Sequence, residues 1–308
     1  MSDLRRHSQD YLTVRRALGY KLVGEGGLLT SFVTYAESSG ASRVTTDLAV
    51  AWTATATAGS RAYLARRMRV VRCFARYLQT LDPATVIPPS DLFPNGKYRP
   101  TPYIYSDADV AALMAAARTL IPALRAATFE TLLGLLYSTG LRISEAMALD
   151  RDDVDGDNQT LTVRDSKFGK SREVLLHHST VEALQDYSRT RDKLSPCRSA
   201  PSLFVSTRGT RLLHTTIYPT FRALLSQAGL APQPSSAPQP HVHGLRHSFA
   251  VNTVVGWYRD GGDVAVRMPL LSTYLGHVDP AATYWYLTAV PELLALAAER
   301  LELACPAP

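Results

Sequence analysis

Residues 241–250, HVHGLRHSFA, and residues 271–287, LSTYLGHVDPAATYWYL, gather polar groups within apolar, helix-forming sequence. His243 and Arg246 stand three apart, a spacing that puts side chains on one helical face. A planar guanidinium matches phosphate oxygens, and a neighbouring imidazole gives or takes a proton near neutral pH, so the pair reads as an anion site. His277 and Tyr286 follow. A free tyrosine ionises at about 10, so Tyr286 attacks poorly unless its proton is drawn off or the developing charge is stabilised. Two imidazoles and a guanidinium suit both tasks. Alone, HGLRH equally fits a helix start on a basic surface. His241, His243 and His247 raise a metal site, but no glutamate lies between His243 and His247 and no third ligand is evident. Arg246 would also repel a divalent cation, so no metal is expected.

Working outward, residues 231–240, APQPSSAPQP, read as a low-complexity surface loop. Helices are expected near 215–228 and 179–193, with a short strand at LFVS, 203–206. Before these, LTVRDSKFGKSREVLLH alternates as two strands of a hairpin whose turn carries Lys167 and Lys170. LRISEAMALD starts a helix at Arg142, with Glu145 on its less apolar side and Leu141, Ile143, Ala146, Met147 and Leu149 buried. Helices at 107–118 and 123–137 precede it; Ser106 and Asp109 form a capping box, and Gly140 ends the second. Downstream, Gly261-Gly262 breaks the chain, and PELLALAAERLEL from Pro291 is amphipathic, fit to close the domain or to dock on a neighbouring subunit.

Toward the N-terminus, residues 82–103 hold six prolines and Asn95-Gly96, the composition of an interdomain linker. Ahead of it, helices are expected at 8–21 and 26–39, broken by Gly24, Gly26 and Gly27, then at TTDLAVAWTATA, and from Gly59 to Leu78 with Ser60 as cap. On the last, Arg66, Arg69, Arg72 and Arg76 share one arc and Leu64, Val71, Phe74 and Leu78 the other, as a helix needs to pack on a bundle while facing phosphates. Charge is divided accordingly: residues 1–99 carry 14 Lys and Arg against 7 Asp and Glu, whereas residues 100–308 carry 19 against 20. A broad polyanion surface is therefore expected in the first part and a focused anion site in the second. No apolar run approaches the ~20 residues that span a bilayer. Without an apolar stretch after the charged opening, no secretory leader is expected. Cys73, Cys197 and Cys305, far apart and odd in number, fit a reducing cytoplasm.

TGLRISEAMAL at 139–149, a hairpin lysine 25 residues after Arg142, HGLRH, LGH, and a tyrosine nine residues after His277 resemble, in order and spacing, the tyrosine recombinase (phage integrase) family. The resemblance covers the second domain, and the basic N-terminal part is similar to that family's core-binding domain. It implies a mainly α fold with a small antiparallel β-sheet (an α+β catalytic domain). The implied domains are a helical, SAM-like DNA-binding bundle over 1–81, a proline-rich linker over 82–102 and a catalytic domain over 103–308. The implied activity is DNA strand exchange through a 3′-phosphotyrosyl intermediate, with no cofactor and no required metal. Arg142 and Arg246 would clamp the scissile phosphate and Tyr286 would attack it. Lys167, with Lys170 its nearby rival, would protonate the departing 5′-oxygen. His243 would handle the tyrosine's proton, His277 would hydrogen-bond the phosphate, and Glu145 would support the site. Tyr284 and Tyr274 compete as nucleophile, but spacing from His277 favours Tyr286, and Tyr284 reads as packing with Trp285. Thr288 stands where the family often has histidine, and the 231–240 insertion and Gly261-Gly262 also depart from its pattern. The run from Leu271 to Leu287 looks like recombinases of transposable elements, which implies integration or transposition. The implied partners are double-stranded DNA, gripped by a C-shaped clamp of the two domains, and further protomers, as a tetramer on DNA or with partner recombinases. The implied setting is the nucleoid. Type IB topoisomerases share much of this chemistry, and a non-cleaving DNA-binding regulator would share the fold, though it would have no evident need for Tyr286.

Overall fold

The computed structural model describes residues 3–56, 60–93, 101–164, 171–197, 199–230, 238–288 and 291–304, without the side chains of 288 and 301–304. Two compact units separate, Met1–Arg99 and Pro100–Pro308.

The first unit is a helical bundle of α1 (Asp3–Ala17), α2 (Val23–Ser38), α3 (Thr46–Ala54) and α4 (Arg61–Gln79). Thr45 and Ser60 cap α3 and α4 by accepting from the backbone N–H of Leu48 and Tyr63. Phe32, Trp52, Met68, Val71 and Phe74 form the core, none more than 1% exposed. One expectation fails: Gly24, Gly26 and Gly27 do not break the chain but lie in the opening turns of α2. The break falls at residues 18–22, where Leu22 adopts a left-handed φ of 45°. Packing explains Gly24, since a Cβ there would stand 2.5 Å from the Arg66 guanidinium.

In the second unit, α5 (Asp107–Arg118) and α6 (Ala123–Thr139) precede the short α7 (Ile143–Ala148). The Ser106–Asp109 capping box is formed in both directions. Strands β1 (Val154–Asp155), β2 (Thr160–Val163) and β3 (Arg172–Leu175) make an antiparallel sheet in the order β1-β2-β3, with Leu161 opposite Val174, both fully buried. The hairpin tip with Lys167 and Lys170 lies outside the described residues, as do residues 231–237. Then come α8 (His178–Leu194), α9 (His214–Gln227), α10 (Gly244–Arg259), α11 (Val264–Leu275), α12 (Ala281–Tyr284) and α13 (Pro291–Ala304). LFVS is not a sheet strand; isolated bridges pair Ser202 with Asp150 and Val205 with Arg211. Too few neighbouring residues run alongside to extend a ladder. Among the described residues no helix is long and apolar enough to cross a membrane.

One core joins α5, α6, the sheet, α8 and α9. Another holds α10, α11, Tyr286 and Leu293 of α13. Both α6 and α11 end on glycines in the left-handed region, Gly140 (φ 63°) and Gly276 (φ 68°). These two helix ends seat Arg246 and Arg142.

Candidate active site

The C-terminal carbonyls of a helix carry partial negative charge and attract cations. Arg246, 2% exposed, donates from Nη1 to Gly140 O at 2.7 Å, at the end of α6, and from Nη2 to Leu275 O at 2.8 Å, at the end of α11. Arg142, at the N-cap of α7, donates to Gly276 O at 3.1 Å. Both glycines are required. A Cβ on Gly140 would come within 2.5 Å of Phe249, and one on Gly276 within 2.8 Å of Arg172 Nη1.

Glu145 sits beneath these arginines. Its carboxylate accepts from Arg142 Nη1 at 2.7 Å and the Arg142 backbone N–H at 2.9 Å, and from both Nη atoms of Arg172 at 3.1 and 3.0 Å. Burial pushes this carboxyl up, but hydrogen bonds and charge from Arg172 and Arg142 overrule it and hold it down at about 2. Glu145 is thus buried rather than on an open polar face, because two guanidiniums, those of Arg142 and Arg172, grip it where the sequence alone shows one partner. Burial, then the charge of Arg142, lowers Arg246 to about 10, still protonated near neutral pH.

His277 comes directly after Gly276. Its Nε2 lies 3.0 Å from Arg246 Nη2 and its Nδ1 2.6 Å from Thr283 Oγ1. A guanidinium only donates, so Nε2 accepts here, and Nδ1–H donates to the fully buried Thr283. Tyr286 lies in a 3₁₀ turn over Trp285–Thr288 and is 2% exposed, its ring stacked 6.3 Å from that of His277. Its hydroxyl is 3.2 Å from Nδ1 of His247. His243, at the N-cap of α10, is exposed, and its ring meets the His247 ring edge-on at 4.7 Å.

The structure therefore gathers Arg142, His243, Arg246, His277 and Tyr286 around one spot. Tyr284 is exposed rather than packed, and Trp285 instead turns against His247 and Tyr286. Tyr274 stacks on Phe249 and donates to Leu175 O, and burial raises its hydroxyl to about 12. In the first unit, Arg66 pairs with Glu25 at 2.9 Å and Arg69 approaches it at 4.0 Å. Arg72 donates to the carbonyls of Pro88 and Pro89, while Arg76 is exposed.

Sequence reasoning passed over Arg172, His247 and Thr283 as site residues. Arg172 carried a signal: it is in phase with buried Val174 on β3, an arginine pointing inward. His247 lies four after His243 on the same face, a relation weighed only for metal binding. Thr283 carried none beyond its place three residues before Tyr286.

The profile of the phage integrase family matches residues 105–292. The chain belongs to that family. It is 43% identical to the y4rB protein of Sinorhizobium fredii (strain NBRC 101917 / NGR234), an integrase/recombinase by name, over 98% of each chain. It is 30% identical to the tyrosine recombinase XerC of Mycobacterium leprae (strain TN), over 84% of this chain and 85% of that one. Among solved structures, the Tn1549 transposon integrase in complex with transposon right end DNA superposes with a TM-score of 0.66 at 16% identity, covering 96% of this chain and 98% of that one. That likeness speaks for the fold. The protein is a tyrosine site-specific recombinase, and its helical architecture with one small antiparallel sheet is that of its family.

Proposed function

We propose that this recombinase cleaves and rejoins double-stranded DNA through a 3′-phosphotyrosyl intermediate, serving integration or transposition of a mobile element. The observation that carries the chemistry is the charge around Tyr286. Arg142, Arg172 and Arg246 surround one carboxylate, Glu145, leaving a surplus of two positive charges. A phosphodiester carries one negative charge, and the pentacoordinate phosphorus formed by an attacking oxygen carries about two. The surplus therefore favours the transition state over the bound substrate, the condition for acceleration.

In this reading Arg142 and Arg246 bind the non-bridging oxygens, with exposed His243 and half-buried His277 completing the cradle. Tyr286 attacks phosphorus, and Lys167, outside the described residues, protonates the 5′-oxygen. The energy of the broken bond stays in the protein–DNA ester, so resealing needs no ATP. Arg69 and Arg76 on α4 meet DNA phosphates from the N-terminal unit, and several protomers, four in the simplest scheme, align two duplexes.

Covalent trapping tests this. The protein is incubated with nicked duplexes carrying the ends of the DNA segment that encodes it. A denaturation-resistant adduct, absent in Tyr286→Phe, is expected; no adduct on any such end would refute strand transfer, and one that survives Tyr286→Phe would move the nucleophile to Tyr284 or Tyr274. Relaxation of supercoiled plasmid without sequence preference would point instead to topoisomerase-like action.

A further inference from the structure

We propose that His247 is the general base of strand cleavage, taking the proton of Tyr286, a role that rests on the chemistry proposed above. Geometry assigns it. Tyr286 is buried, and His247 Nδ1 lies 3.2 Å from its hydroxyl, within proton-transfer reach. His247 is half-buried between two neighbours: the Tyr286 ring at 5.6 Å on one side and the exposed His243 ring at 4.7 Å on the other. That layering gives the two histidines different work. His243 faces the solvent from which DNA arrives, while His247 reaches the nucleophile from beneath, and the Trp285 ring, 5.6 Å away, covers its side.

The step balances. An electron pair on the Tyr286 oxygen forms the bond to phosphorus, and the phenolic proton passes to Nδ1 of His247 acting as its Nε2–H tautomer, giving an imidazolium. The phosphorus–O5′ bond breaks, its pair leaving with O5′, which is protonated by the hairpin lysine. On rejoining, the 5′-hydroxyl attacks, its proton returns to that lysine, and the imidazolium gives its proton back to the departing tyrosine oxygen. Among the described residues, the charged and titratable groups seen to face His247 include His243 on α10, His241 just before it (ring 6.2 Å away), and Tyr286 on the 3₁₀ turn. Behind Tyr286 stand His277 and, bonded to it, Arg246. A cation behind the phenol favours its ionised form, which helps transfer toward His247.

Two measurements decide the assignment. In the first, 3-fluorotyrosine replaces Tyr286 and its fluorine resonance is followed with pH in the intact protein. A pH-dependent shift is expected in the native and His243→Asn proteins and should vanish in His247→Asn. In the second, single-turnover adduct formation on the same nicked duplexes is measured against pH. His247→Asn keeps a hydrogen-bonding group but no base, so cleavage should fall by ~10²–10⁴-fold and lose its rise on the acid side. A fluorinated tyrosine of lower pKa should partly restore it. His243→Asn should slow cleavage while keeping that rise. Native rates and an intact acid limb in His247→Asn would overturn the proposal, as would loss of the limb in His243→Asn instead. In both cases the native adduct still forms, so strand transfer itself stands; absence of any native adduct would remove both. His247→Gln serves if the asparagine variant does not fold.

Discussion

Replacing Glu145 with glutamine keeps the side chain's size and removes the one negative charge among three arginines. The folded protein holds this carboxyl at about 2 against an ordinary 4.5, and that difference contributes about 3 kcal/mol of stability. Because the folded value is the lower, the contribution is complete above 4.5 and is lost as pH falls toward 2. At pH 3 about 2 kcal/mol of it has gone. Glu145→Gln should therefore be less stable than the native protein by ~3 kcal/mol at pH 7, more if Arg172 is left poorly paired. The gap should narrow by ~2 kcal/mol at pH 3. Other carboxyls titrate alike in both proteins, so the difference isolates this one. Of the three tryptophans, Trp52 lies in the N-terminal unit and Trp257 and Trp285 in the other. Urea unfolding followed by fluorescence in a Trp52→Phe background then reports on the catalytic unit. Parallel stability curves from pH 7 to 3 would refute the argument, because they would mean that Glu145 is not held ionised by its arginines.

Gly140→Ala and Gly276→Ala each force a side chain into a left-handed position and against a neighbour at 2.5 or 2.8 Å, so each should cost at least ~2 kcal/mol; Gly140→Ala should also cut cleavage more than DNA binding, measured side by side, since it shifts the carbonyl that seats Arg246. Neutralising Arg69 and Arg76 should weaken DNA binding and flatten the log affinity against log salt plot by about 0.9 for each phosphate left without its cation. Arg72→Gln should instead lower the unfolding midpoint of the N-terminal unit, because Arg72 ties down Pro88 and Pro89. Arg300 donates to the carbonyls of Trp257, Tyr258 and Gly262, and so fastens α13 over the end of α10. Arg300→Ala should loosen that helix by ~2 kcal/mol and speed hydrogen exchange across residues 285–300.

The parts of this molecule legible in its sequence are those decided within one turn of chain. Ser60, Ser106 and Gly140 mark helix ends through their own backbone chemistry, and the arc of Val71, Phe74 and Leu78 identifies a buried face by spacing alone. Gly24, Gly26 and Gly27 misled because the smallness of Gly24 and Gly26 answers to Arg66 and to side chains of α1, a tertiary demand that looks locally like a break. The site divides the same way. Arg142, Arg246, His277 and Tyr286 could be named from their order, yet nothing near Glu145 in sequence shows that Arg172, 27 residues on, grips it with both Nη atoms. That pairing decides how the arginines can work. Glu145 alone would neutralise Arg142 and dull it toward phosphate. With Arg172 supplying a compensating charge, the carboxylate orients Arg142 while the cluster keeps its positive surplus. The ends of α6 and α11 add two partial negative charges that seat the guanidiniums without titrating. An arginine held by carbonyls and by an already paired carboxylate can turn a donor toward an incoming phosphate at little cost in solvation. Arg172→Ala should therefore harm catalysis by overneutralising Arg142, and Arg172→Lys, which returns the charge without the fork, should recover part of the cleavage rate while leaving Glu145 less firmly held.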